Sequence, residues 1–102
     1  MSNLSEEYRL AAKEWVALNA AANLLEETKS AVLSRMKSKL GDLPDSHKET
    51  MVRASDEWME YITKMVKARE DADLAKVKVN WIEMRHWERN DSNATRRAEM
   101  RL

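Results

Sequence analysis

Cysteine and phenylalanine are absent from this 102-residue chain, and glycine and proline occur once each. Without cysteine there is no disulfide framework and no thiol chemistry. A single glycine cannot build a backbone cradle for phosphate, and neither a Walker-type lysine nor a Ser-His-Asp arrangement is present. No run of about 18 apolar residues exists, so no segment reads as membrane-spanning. The stretch Met1-Ser2-Asn3-Leu4 has neither the basic nor the apolar region of a secretory signal, which makes a cytoplasmic protein the expectation. An excess of one charge is missing too: 18 basic and 18 acidic side chains leave a formal net charge of zero. That balance is far from the strongly basic domain a dedicated nucleic-acid binder presents. No cofactor is implied.

What remains is helix-forming. Charged residues make up 35% of the chain and seven methionines and four tryptophans are present, a profile that favours helix over sheet in one domain spanning 1–102. The glycine and the proline fall three positions apart, in Gly41-Asp42-Leu43-Pro44-Asp45. Gly41 reads as a helix C′ residue and Pro44 as the stop just past it. The expected layout is a helix over 5–40, a turn over 41–45, a short helix over 46–53, a helix over 55–89 and a C-terminal segment over 94–102. Ser5 is the expected first N-cap, with Glu6 and Glu7 in the first turn. Ser46-His47-Lys48-Glu49 reads as a capping box, and Ser55-Asp56-Glu57-Trp58 as a second start. Asn90-Asp91-Ser92-Asn93 is a cluster of turn formers that should end or bend the helix.

Apolar residues in the first long helix recur at steps of four and three: Leu4, Tyr8, Ala11, Trp15, Leu18, Ala22, Leu25, then Val32 and Met36, with a polar break at Lys29. The second long helix offers Trp58, Ile62, Met65, Val66, Ala72, Val77, Trp81 and Met84, with a phase change across Arg69-Glu70-Asp71. At 1.5 Å per residue each helix is roughly 50 Å long. Folded antiparallel, Tyr8 is expected to face Trp87, Trp15 to face Trp81, Leu18 to face Val77, Val32 to face Ile62 and Met36 to face Trp58. Ala20, Ala21 and Ala22 are expected to face Ala72 and Ala75 at the waist. Two helices cannot enclose so many apolar side chains, and the economical solution is a homodimer, two hairpins making an all-α four-helix bundle.

Few residues suggest chemistry. Glu83 and His86 are spaced as a Glu-x-x-His pair, and Glu14 lies near the right height to join them on a metal. Such a four-residue pattern occurs often by chance, and Glu83 and His86 read first as ordinary polar residues flanking the core, so no metal is expected. Arg85, Arg89, Arg96, Arg97 and Arg101, with Trp87 nearby, combine charge and rings as a nucleic-acid surface does, but Glu88, Asp91 and Glu99 are interleaved. Lys37 and Lys39 belong to a second basic cluster at the tip, where residues 29–53 carry six bases and three acids. Basic helix ends are also what the helix dipole favours. Trp87 is the tryptophan expected to be exposed.

Three stretches carry a family resemblance: Ala54-Ser55-Asp56-Glu57-Trp58, Tyr61-Ile62 through Met65-Val66-Lys67-Ala68-Arg69, and Arg97-Ala98-Glu99-Met100-Arg101-Leu102. Together with Ser30-Ala31-Val32-Leu33 and Leu40-Gly41-Asp42-Leu43-Pro44, the chain looks like small all-helical proteins of tailed phages and prophages. The resemblance implies a non-enzymatic accessory protein encoded beside recombination genes and working in the bacterial cytoplasm. It implies a protein partner, such as a recombination factor, a host nuclease or a defence factor. Direct DNA binding through the Arg-rich C-terminal end is the alternative. No residue role is carried over from the resemblance.

Overall fold

The computed structural model describes the backbone of residues 4–100 and the side chains of residues 4–89. Among the described residues there are four helices and no strand: α1 (Leu4–Glu27), α2 (Lys29–Ser38), α3 (Asp45–Arg53) and α4 (Asp56–Met100). The architecture is the expected all-α hairpin, with α1 lying along α4. Ion pairs Glu7–Arg85, Glu14–Lys78 and Glu26–Arg69 run in opposite numerical order along the two helices, so the helices are antiparallel. The short helices α2 and α3 pack on each other and form the closed tip.

Several boundaries differ from the sequence reading, each for a local reason. α1 already contains Leu4, so Ser5 sits inside the first turn instead of capping it. The first arm is two helices, broken at Thr28. The Tyr61 hydroxyl donates to the Leu25 carbonyl, and the Thr28 hydroxyl lies 3.1 Å from the same tyrosine oxygen. A side chain inserted into the helical ladder at this point interrupts it. At the end of α2 the Leu40 N–H reaches the Lys37 carbonyl, a tightened last turn, and Gly41 then takes φ +76. That positive φ is the glycine's use here.

The capping box over 46–49 does not form. Pro44 holds the N-cap position of α3 and its carbonyl accepts from His47 and Lys48. Asp45 is thereby freed to pair with Lys37 across the turn at 2.7 Å. Ser55 does cap α4: its hydroxyl oxygen accepts from the Trp58 N–H at 3.2 Å and the hydroxyl donates to the Val52 carbonyl at 2.6 Å. No break occurs over 90–93, and the segment expected as a separate 94–102 helix is part of α4 up to Met100. Asn, Asp and Ser each cost at most about 0.7 kcal/mol in a helix interior, against about 3 for proline. Good helix formers on both sides carry the helix through them.

The core is thin and rich in alanine. Its buried members are Ala11 and Ala22 on α1, Val52 on α3, and Trp58, Ala72, Ala75, Val79 and Ile82 on α4. Small residues on both helices let the backbones approach closely. Ile82 is the largest fully buried side chain, in a cluster with Ala11 and Val79 against which Trp15 packs. Burial of a side chain this size contributes about 1.5–3 kcal/mol.

Along α1 and α2 the inward stripe follows the expected steps, with Leu18 and Leu25 of α1 and Val32 and Met36 of α2 half-buried. On α4 it does not. Val77 and Trp81 are 62% and 55% exposed, and their places are taken by Val79 and Ile82. The buried stripe runs on without a phase change, because Arg69, half-buried, occupies an inward position that the apolar pattern omits. Trp15 therefore packs against the cluster of Ala11, Val79 and Ile82, while its expected partner Trp81 lies exposed. Leu18 shares a groove with Leu74 and Ala75 instead of Val77. Ala22, Ala72 and Ala75 do meet the expectation of burial at the waist, but Ala20 and Ala21 face outward.

Candidate functional site

The open end of the hairpin holds an apolar groove with aromatic walls. Leu4, Ser5 and Tyr8 of α1 and Ile82, Glu83, His86 and Trp87 of α4 line a groove of about 380 Å³. The steps Leu4–Tyr8 and Glu83–His86–Trp87 place these side chains on facing helical turns. Tyr8 and Trp87 thus come to one site as the sequence reading anticipated. Trp87 is 63% exposed, the most open of the large apolar side chains among the described residues. From Trp87, α4 runs on to Met100, about 20 Å further at 1.5 Å per residue.

Arg85 sits beside this groove and is already engaged. Its guanidinium lies 4.7 Å from the Trp81 ring centroid and 3.4 Å from a Glu7 carboxylate oxygen. Arg89 is exposed. Arg96 and Arg97 belong to the part of α4 whose side chains lie outside the described residues, and Arg101 lies outside them altogether. At the tip, Lys39 is exposed while Lys37 is largely covered and held by Asp45. Hydrogen bonding and attraction from Lys37, with a smaller contribution from Lys48, keep the Asp45 carboxyl below its usual range.

The three residues considered for a metal are not brought together. Glu14 faces Lys78 at 3.9 Å, whereas Glu83 and His86 line the open-end groove. No group of three metal-binding side chains occurs among the described residues. His47 lies exposed in the first turn of α3.

The sequence reading missed a polar clamp halfway along the hairpin. Arg69 donates to Asn19 Oδ1 at 2.9 Å, to Asn23 Oδ1 at 2.6 Å and to both carboxylate oxygens of Glu26, one of them at 3.1 Å. Its hydrogen bond holds the Glu26 carboxyl below the ordinary range and raises the Arg69 guanidinium further. Asn19, Asn23 and Glu26 are spaced by four and three, so one face of α1 presents three acceptors in line, a pattern legible in the sequence. Lys76 lies 5.8 Å from the Trp15 ring centroid, a second cation over a ring.

No helix among the described residues is long and apolar enough to cross a membrane. These features define an all-α helical hairpin with an aromatic groove at its open end. No protein-family model matches the chain, and comparison with the curated proteins and with the solved structures finds no match.

Proposed function

We propose that this protein works without catalysis, as a binding module whose open end seats an apolar segment of another protein. The observation that supports this most is the groove between Tyr8 and Trp87. It combines an exposed tryptophan, a half-open tyrosine ring and an apolar floor at Ile82. Trp and Tyr in such settings supply most of the energy of protein interfaces. Arg89, exposed two residues beyond Trp87 in the chain, suits a partner with acidic flanks. The resemblance to small helical phage proteins suggests where to look for it: a recombination factor, a host nuclease or a defence factor in the bacterial cytoplasm.

A tagged copy expressed in bacteria is expected to recover one partner in stoichiometric amount. Trp87→Ala is expected to weaken that interaction about 30-fold, the equivalent of a 2 kcal/mol anchor. Recovery of nothing but the chain itself, or of the partner equally by Trp87→Ala, contradicts the reading. Direct DNA binding is the second reading, supported by the length of α4 beyond the groove. It predicts an affinity that falls steeply with salt and on replacing Arg96 and Arg97 by glutamine.

A further inference from the structure

One flank of the hairpin is complementary to itself. The pairs Glu7–Arg85 and Glu14–Lys78 mark this flank and fix which residues stand level on the two helices. Steps of three and four place Leu10 and Ala17 in the same column as Glu7 and Glu14 on α1. The same steps place Trp81 and Leu74 in the column of Arg85 and Lys78 on α4. To within a residue, Leu10 stands level with Trp81, and Ala17 with Leu74. Leu10, Leu74 and Trp81 are 53%, 60% and 55% exposed. The α1 column thus alternates acid and apolar residues, and the α4 column alternates base and apolar residues at matching heights.

We propose that a second copy of this chain covers this flank, related by a two-fold axis parallel to the long helices. In that arrangement α1 of each copy lies on α4 of the other at the same level. Leu10 meets the partner copy's tryptophan, Ala17 leaves room for its leucine, and each acid gains a second base. Charges buried this way stay paired and fix the register more than they add affinity. A formal net charge of zero means that the two copies do not repel.

The surface area points the same way. The chain exposes 8078 Å². A compact monomer of 11.9 kDa exposes about 6,000 Å². The excess of about 2,000 Å² per chain is on the scale that obligate dimers hide. The groove lined by Tyr8 and Trp87 shares no residue with this face, so a dimer leaves it open.

Cross-linking tests the arrangement, and the absence of native cysteine makes it clean. Chains carrying Ala17→Cys and Leu74→Cys, mixed and treated with a short bis-maleimide, are expected to link to each other. Neither variant alone is expected to link to itself, because like helices lie diagonally. Adding Trp81→Glu or Leu10→Glu to both chains is expected to abolish the link with the far-ultraviolet helical signal unchanged, since both positions lie outside the core. No link in the mixture, equal linking of Ala17→Cys with itself, or a link that survives both glutamates would overturn the proposal.

Discussion

Arg69 shows how single residues set this hairpin. Its guanidinium spans Asn19, Asn23 and Glu26, and so holds α1 and α4 at one height along their length. The Glu26 carboxyl is held below its ordinary range chiefly by that hydrogen bond, the Asp45 carboxyl by Lys37 and the Glu6 carboxyl by Arg9. A carboxyl that is more acidic in the folded state than in the unfolded one stabilises the fold at pH values above its unfolded pKa, about 4.3 for Glu. That stabilisation is lost as the pH falls through the lower, folded value. The urea midpoint is therefore expected to drop from about pH 5 downward, and Glu26→Gln to flatten part of that slope. A midpoint that stays level to pH 3 in the wild-type chain contradicts this.

At this scale the sequence was partly legible. Gly41 declared its positive φ by being the only glycine; Trp87 is exposed as expected, although the helix break at 90–93 that suggested it does not form. Arg69 was hidden because an apolar pattern treats an arginine as an outward residue. Here three aligned acceptors on α1 make the inward position favourable.

Among the elements, α1 disclosed its buried face along its length and α4 only in its first half. On α1 the inward positions hold Trp15, Leu18 and Leu25, and large residues make the stripe conspicuous. In the second half of α4 they hold Ala75, Val79 and Ile82, while Leu74, Val77, Trp81 and Met84 form a stronger stripe on the outside. The eye, and any hydrophobic periodicity, follows the larger side chains. The break at Thr28 was legible only as a polar interruption at Lys29, since its cause, the Tyr61 hydroxyl, lies thirty-three residues away. The start of α4 was plain, because Ser55 is a good cap in the right place. Removing that cap with Ser55→Ala is expected to cost about 1 kcal/mol in urea unfolding. It should also loosen the junction with α3, where the same hydroxyl holds the Val52 carbonyl. A change near zero would mean that packing of Trp58, not capping, fixes this helix start.

As a whole the molecule is a rod, 83 Å by 23 Å by 17 Å. Its radius of gyration is 23.1 Å, where a compact chain of this length has about 13 Å. Two antiparallel helices with an alanine-rich seam bury little for their length, and the apolar residues left outside are arranged in columns. The expectation of a four-helix bundle arose from counting tryptophans and methionines. In the proposed dimer the covered face lies not at Trp15 and Trp58, which serve the hairpin itself, but at Leu10, Leu74 and Trp81. The most direct test of this half-bundle is the mass of the wild-type chain by light scattering, from low micromolar to high micromolar concentration. A mass of twice 11.9 kDa is expected across that range. A mass of 11.9 kDa at every concentration would contradict it, and would leave the outer stripe of α4 as a surface for a different protein.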